Sequence, residues 1–147
     1  MSTVLIIYGS TTGNTEFTAE TIETGLTDTG YDVTVMNVTD ADVTVLNESY
    51  DLYLMGSSTW GDEEIEFQED FQPFFDSMNN DLAFDGKRFA VFGCGDSSYQ
   101  YFCGAVDALE ERIDKLGGTL ICNGLRIDGE PEEDEINEWI QDVINGA

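Results

Sequence analysis

The sequence predicts an α/β fold, a doubly wound parallel sheet of five strands with helices on both faces. Short runs rich in β-branched and aromatic residues alternate with longer segments whose apolar residues recur at helical spacing, a pattern typical of βαβ units. Three of the short runs are apolar throughout, as in strands covered on both faces. The sequence shows no internal repeat or low-complexity linker, so residues 1–147 are expected to form one domain.

Five strands follow from the short runs. They are expected at residues 4–8, 33–38, 52–55, 89–92 and, in two parts, 119–122 and 125–127. The first, third and fourth are continuously apolar and should lie centrally in the sheet. The second alternates between apolar and polar residues, which favours an edge position.

Four helices are predicted from apolar residues on one face. Their face residues are Ala19, Ile22 and Leu26; Phe67, Phe71, Phe74, Phe75 and Met78; Val106, Leu109, Ile113 and Leu116; and Ile136, Trp139, Ile140, Val143 and Ile144. Gly117 and Gly118 should end the third helix. Residues 39–49 allow one further short helix. In such a fold, ligands bind beyond the carboxyl ends of the strands.

The charge of the chain restricts its partners. The chain has 31 acidic residues, five basic residues and no histidine, which gives a formal net charge of −26. Nucleic acid and anionic membranes are therefore poor partners, because their phosphates are repelled. The acidity is compatible with adaptation to salt and with an acidic docking face for basic proteins, and both can hold together. It also favours a monomer.

The cysteines and the start of the chain indicate the compartment. Cysteine occurs at positions 94, 103 and 122, with no C-x-x-C pair. This odd set argues against a disulfide framework, an iron–sulfur cluster and a zinc site, and it fits a reducing compartment. The apolar run at residues 4–8 is far too short to span a membrane and lacks the features of a signal peptide. We therefore expect a soluble cytoplasmic protein with no metal.

The loop after the first strand has the composition of an anion site. It reads Gly9, Ser10, Thr11, Thr12, Gly13, Asn14 and Thr15, small residues with hydroxyl and amide groups at the start of a helix. Backbone N–H groups and the helix dipole favour an anion there. The Walker spacing and its lysine are missing, so a single phosphate monoester suits the loop better than a triphosphate. A simple helix-capping turn is the alternative.

Two later loops carry aromatic residues at strand ends. The first reads Gly56, Ser57, Ser58, Thr59, Trp60, Gly61 and Asp62, and the second reads Gly93, Cys94, Gly95, Asp96, Ser97, Ser98, Tyr99, Gln100, Tyr101, Phe102 and Cys103. A tryptophan in such a small-residue loop can stack on a flat heterocycle, or it can cover a neighbouring helix. One phosphate loop and two aromatic loops at one edge of a sheet together favour a phosphorylated planar cofactor.

These three loops, in this order and over essentially the full chain, resemble those of the flavodoxins. The fifth strand lacks a long insertion, which resembles the short-chain branch found in sulfate-reducing bacteria. The resemblance implies the strand order 2-1-3-4-5 and one non-covalently bound flavin mononucleotide (FMN). It implies a low-potential electron carrier, rather than an enzyme, that moves one electron at a time as its FMN cycles between semiquinone and hydroquinone.

The resemblance also assigns the FMN-binding residues. The residues expected to contact the phosphate are Ser10, Thr11, Thr12, Gly13, Asn14 and Thr15. Ribityl contacts are expected near Ser58, Asp62 and Asn14, and Thr59 is a further expected cofactor-binding residue. The isoalloxazine ring is expected between Trp60 and Tyr99. Its pyrimidine edge is expected at Cys94, Gly95 and Asp96, with Tyr101, Phe102 and Cys103 lining the pocket. Gly61 is expected to turn its peptide toward the flavin. No residue is assigned a catalytic role.

The resemblance implies redox partners, and the acidity suggests that they are basic. Basic redox proteins or enzymes are expected to dock on the acidic face around the flavin edge, steered by Asp62, Glu63, Glu64 and Glu66. An FMN-dependent quinone or flavin reductase is the main rival, although the chain has no spare segment for a substrate pocket. A phosphorelay receiver domain is a weaker rival. It needs acidic residues after the first strand and an aspartate after the third, where this sequence has hydroxyl residues and glycine.

Overall fold

The computed structural model describes residues 2–9, 13–60, 66–67, 70–78, 84–95 and 104–146, with backbone alone at 59, 60, 66 and 67. The strands are β1 (Thr3–Gly9), β2 (Asp32–Asn37), β3 (Leu52–Ser57), β4 (Thr59–Trp60), β5 (Glu66–Phe67), β6 (Arg88–Gly95), β7 (Thr119–Leu120) and β8 (Leu125–Asp128). The helices are α1 (Asn14–Asp28), α2 (Phe71–Asp76), α3 (Gly104–Lys115) and α4 (Glu133–Gly146).

The main sheet is parallel, as predicted. Its order is β2-β1-β3-β6-β7, and β8 also pairs with β6 beyond the end of β7. The strands β7 and β8 together form the interrupted fifth strand, so the predicted order 2-1-3-4-5 is confirmed. The more polar strand β2 lies at the edge, where one side needs no strand partner. The central strands β1, β3 and β6 are buried almost throughout, which explains their continuous apolar runs.

Alternate residues of the central strands enter two separate cores. On β1, Leu5 and Ile7 face one core while Val4 and Ile6 face the other, and all four are fully buried. The first core is covered by the apolar residues of α2 and α3, and the second by those of α1 and α4. This arrangement is the doubly wound architecture that the alternating pattern predicts. Among the described residues, no helix is long and apolar enough to cross a membrane.

The prediction was wrong for Phe67, which belongs to a strand rather than to the second helix. Phe67 pairs with Thr59 in a two-stranded antiparallel hairpin formed by β4 and β5. The helix α2 begins at Phe71, so Pro73 lies in its first turn, where the missing N–H has no intrahelical role. A helix that already included Phe67 would place Pro73 in its interior, where the proline ring clashes with the preceding turn.

The segment between β2 and β3 contains two 3-10 helices in place of one short α-helix. They span Val38–Asp40 and Val43–Asn47. Asn37 and Asp42 begin them, and their side chains accept hydrogen bonds from the N–H groups of Thr39 and Thr44. Side chains that cap every few residues favour short turns over one continuous helix.

The carboxyl ends of the strands meet at one rim of the sheet. Gly9 at the end of β1 pairs with Ser57 at the end of β3, and Gly95 at the end of β6 pairs with Asp128 at the end of β8. Two strands approach closely beneath this rim, because a Cβ on Gly93 would lie 2.5 Å from the carbonyl oxygen of Ser57. The helix α1 begins at Asn14, only five residues after Gly9 ends β1, so its first turn lies at the same rim.

Candidate functional site

Six of the predicted site residues lie at this rim with their side chains described. They are Gly13, Asn14, Thr15, Ser58, Cys94 and Gly95. Thr59 and Trp60 form β4, directly after Ser58, and their backbone alone is described. The other predicted residues lie outside the described part of the chain: Ser10, Thr11, Thr12, Gly61, Asp62, Asp96, Tyr99, Tyr101, Phe102 and Cys103.

The helix α1 begins without a side-chain cap. Gly13 precedes it with φ of +93°, a conformation that glycine adopts without steric cost, and its carbonyl accepts from the Phe17 N–H at 2.8 Å. The first N–H groups of a helix have no acceptor within the helix, and the dipole makes this end positive. The start of α1 can therefore hold an anion through backbone donors.

Buried hydroxyls gather next to this helix start. Thr15, Thr18, Ser57 and Ser58 are the buried polar side chains of the described residues, each at most 6% exposed. The hydroxyl oxygens of Thr15 and Ser58 lie 3.0 Å apart, and the Ser57 hydroxyl donates to the Ser58 carbonyl at 2.9 Å. Hydroxyls can donate or accept, so the Thr15 and Ser58 pair can turn a proton toward a bound oxygen anion.

The end of β6 is joined to the same helix start. The Cys94 sulfur lies 3.7 Å from the Thr18 hydroxyl oxygen, and the Asn14 side-chain amide donates to the Gly129 carbonyl at 3.5 Å. The Gly129 N–H donates to the Gly95 carbonyl at 2.9 Å. Burial raises the pKa of the Cys94 thiol, although hydrogen bonds with Thr18 and Thr15 oppose the shift, and Cys94 stays protonated at neutral pH.

All five basic residues of the chain are described, and none of their described side-chain contacts is with this cluster. Lys87 donates to the Leu46 carbonyl, Arg112 donates to the Met78 carbonyl, and Arg126 pairs with Asp107 and Glu110 on α3. Arg88 begins β6 at the opposite end from the rim, and Lys115 ends α3. The described donors at the rim are therefore neutral hydroxyls, an amide and backbone N–H groups.

This donor set fits the phosphate end of a mononucleotide. A phosphate monoester offers several acceptor oxygens, and the helix start and the paired hydroxyls of Thr15 and Ser58 converge on one place. Neutral donors can hold such a group without a cation, because the helix dipole supplies positive potential. In the described part of the chain no His, Cys, Asp and Glu side chains come together as a metal site.

Sequence reasoning missed Thr18 and Ser57 as members of this cluster. Thr15 and Thr18 precede the buried face of α1, which continues with Ile22 and Leu26 at intervals of four residues. The four-residue spacing of Thr18, Ile22 and Leu26 is the signal that the Thr18 side chain points inward. It was overlooked because threonine is ordinarily read as an exposed residue.

Comparisons with known proteins show the family and the fold of the chain. The flavodoxin family model matches residues 6–141 of the chain. A flavodoxin from Maridesulfovibrio salexigens is 55% identical over 140 residues, which cover 95% of this chain and 94% of that protein. A flavodoxin from Nitratidesulfovibrio vulgaris is 47% identical over 146 residues, which cover 98% of each protein.

Solved structures show the same fold. Oxidised flavodoxin 2 from Bacillus cereus matches with a TM-score of 0.90 and 33% identity, over 99% of this chain and 100% of that one. A flavodoxin from Streptococcus pneumoniae matches with a TM-score of 0.88 and 28% identity over 99% and 100%. A reductase or a receiver domain is not favoured by these relatives. The chain belongs to the flavodoxin family, whose members bind FMN and carry electrons rather than catalyse a reaction.

Proposed function

We propose that this chain holds FMN at the rim formed by β1, β3 and β6, and that it binds the phosphate through neutral donors alone. The phosphate would lie at the start of α1, against the residues 10–15 and the hydroxyl of Ser58. The ring would lie between Trp60 and Tyr99, with Gly61 and Asp62 beside it and residues 94–96 at its pyrimidine edge. FMN supplies the redox chemistry, and the protein binds it, orients it and sets its electrostatic surroundings.

The buried pair of Thr15 and Ser58 is the observation that carries this proposal. Both side chains are more than nine-tenths buried, their oxygens are 3.0 Å apart, and they join the first turn of α1 to the loop that leads to Trp60. Buried hydroxyls at a helix start are costly unless they have partners. A phosphate oxygen would give them a charged acceptor, which makes a stronger hydrogen bond than a neutral one.

The proposal predicts that the protein prefers FMN to riboflavin and that Ser58→Ala reduces this preference. The variant removes the Ser58 hydroxyl, so the Thr15 hydroxyl loses its hydrogen bond with Ser58. We expect the affinity for FMN to fall about tenfold, as for a hydrogen bond to a charged group, with a much smaller loss for riboflavin. Quenching of flavin fluorescence during titration of the apoprotein measures both dissociation constants.

Ser77→Ala is the matched control, because Ser77 donates only within its own segment, to the Pro73 carbonyl at 3.0 Å. It should leave both affinities unchanged. A wild-type protein that binds riboflavin as tightly as FMN would contradict the proposed phosphate site.

We also propose that the partners are basic redox proteins that dock on the acidic face around the flavin edge. Asp62, Glu63, Glu64 and Glu66 belong to that expected face, and the described charges support its extension along α1 and α4. These two helices carry nine carboxylates and no basic residue: Glu16, Glu20, Glu23, Asp28, Glu133, Asp134, Glu135, Glu138 and Asp142. All five basic residues lie outside these two helices.

A groove between α1 and α4 has both charged and apolar character. It has a volume of 350 Å³, and it is lined by Glu20, Asp28 and Glu133 together with Phe17. Phe17 is 39% exposed and is the exposed large hydrophobic side chain of the described residues. An aromatic side chain within an acidic rim can contact a basic protein surface through both charge and apolar area.

Electron transfer to a basic acceptor should therefore slow as salt is added. We expect the second-order rate constant with cytochrome c, a basic haem protein, to fall at least tenfold between about 10 mM and 200 mM salt, because long-range attraction is screened. Stopped-flow mixing of the reduced protein with the oxidised cytochrome measures this rate. An uncharged acceptor serves as the control, and a rate with cytochrome c that is independent of salt would contradict the docking proposal.

We further propose that residues 1–147 form one monomeric domain in the cytoplasm. The two cores on either side of one sheet support a single domain. Strong net charge of one sign opposes self-association. The free thiols of Cys94 and Cys122 are compatible with a reducing compartment.

A further inference from the structure

Thr18 differs from the three other threonines, two in α1 and one at its C-cap, that bond back to the preceding turn. Thr18, Thr21, Thr24 and Thr29 each donate a hydrogen bond to the carbonyl four residues earlier, at 2.8 to 3.1 Å. The last three are at least partly exposed, whereas Thr18 is fully buried and contacts a second element through Cys94. The bond to the preceding turn does not by itself explain why a threonine is buried at position 18, because exposed threonines make the same bond.

The number of available hydrogens decides which group donates in the contact between Thr18 and Cys94. A hydroxyl group has one hydrogen, and the Thr18 hydroxyl uses it for the Asn14 carbonyl oxygen at 2.8 Å. Toward the Cys94 sulfur, 3.7 Å away, the Thr18 oxygen can only accept. The Cys94 thiol, which burial keeps protonated, is then the donor. Hydrogen bonds thus run from β6 to Thr18 and on to the first residue of α1.

These bonds close a ring at the rim. Asn14 continues it through its side-chain amide to the Gly129 carbonyl, and the Gly129 N–H returns it to the carbonyl of Gly95, the residue after Cys94. The ring joins the start of α1, the end of β6 and the residue after β8. The predicted phosphate loop ends at the start of α1, and the second predicted aromatic loop begins at the end of β6.

We propose that Thr18 is a positioning residue that holds the start of α1 in register with the end of β6, so that the phosphate donors are preorganised for FMN. Thr18 lies beneath the donors and would touch no part of the cofactor. This inference rests on the proposed function, because it concerns the phosphate site of that proposal. Fixing donors before binding reduces the entropy lost on binding and so increases affinity.

Thr18→Val tests the proposal, since valine has nearly the shape of threonine without the hydroxyl. We expect the preference for FMN over riboflavin, the ratio of the two dissociation constants, to fall about fivefold, the effect of one neutral hydrogen bond. Thr18→Ser keeps the hydroxyl and should restore most of the ratio. Thr21→Val is the matched control, because it removes the same bond within α1 at a position without a cross-element partner.

Infrared spectroscopy of the S–H stretch provides a second measurement that needs no cofactor. The Cys94 band, assigned by its loss in Cys94→Ala, should move to higher wavenumber in Thr18→Val and stay in place in Thr21→Val. Cys94→Ala should lower the preference for FMN in the same direction as Thr18→Val. In the double variant the two losses should be less than additive, because each removes the same contact.

The outcomes separate this inference from the proposed function. A wild-type protein without preference for FMN overturns the proposed function itself. A wild-type preference that persists unchanged in Thr18→Val overturns the role of Thr18, as does an S–H band that does not move. A variant of lower thermal stability with an unchanged ratio shows a structural role only and also overturns it. If Thr18→Val does not fold, Cys94→Ala decides by the same ratio, because it removes the same contact and FMN and riboflavin share the ring that residues 94–96 are proposed to bind.

Discussion

Gly56→Ala lowers the free energy of unfolding by about 3 kcal/mol, the upper range for overpacking a core. Gly56 pairs with Phe92 between β3 and β6, and a Cβ at Gly56 would lie 2.1 to 2.5 Å from three atoms of the Phe92 ring. The ring is fully buried and packs near Trp139, with centroids 6.1 Å apart, so it has little space to move. Urea denaturation followed by circular dichroism measures the loss.

Two further variants test the cause of this loss. Phe92→Leu removes Cε2 and Cζ, the two ring atoms closest to the new Cβ, so the double variant should lose less stability than the sum of the single losses. Gly86→Ala meets nothing within 4 Å, and its φ of +78° alone should cost about 1 kcal/mol. Losses at Gly56 and Phe92 that are simply additive would contradict the steric explanation.

Thermal stability rises by about 10 °C when salt is raised from about 10 mM to 1 M. Like charges 10 Å apart repel by about 0.4 kcal/mol in water, and the nine carboxylates of α1 and α4 contain many such pairs without a basic neighbour on either helix. Relief of about 3 kcal/mol corresponds to this shift in a domain of this size. Calorimetry across a salt series measures it.

A variant with neutralised carboxylates separates screening from general salt effects. Glu20→Gln, Asp28→Asn, Glu138→Gln and Asp142→Asn change four exposed positions and leave the acidic first turn of α4, which its helix dipole favours. This variant should melt higher than the wild type at low salt, with a smaller gain on adding salt. An equal salt dependence in both proteins would show that repulsion on this face is not the cause.

The sequence predicted most of the fold because its strands are buried on both faces. Residues 4–8, 52–55 and 89–92 have no polar side to expose, which places them centrally in a parallel sheet. The polar alternation of residues 33–38 correctly predicted an edge strand. Phe67 was assigned wrongly because its spacing from Phe71 suits a helix, whereas Pro73 and the pairing with Thr59 determine where α2 starts.

The site was only partly predictable, because composition shows which loops are polar but not which side chains are buried together. Loop composition identified Thr15 and Ser58, and the structure adds that their hydroxyls are paired. Thr18 lies outside any loop, and its partner Cys94 is 76 residues away in the chain. A contact of that kind depends on how α1 crosses over β6, which no local pattern contains.

A crystal structure of the protein with FMN would show directly which atoms hold the phosphate. We expect phosphate oxygens within hydrogen-bond distance of the first-turn N–H groups of α1 and of the Thr15 and Ser58 hydroxyls, with no lysine or arginine side chain in contact. A phosphate held by a basic side chain, or FMN bound away from this rim, would contradict it.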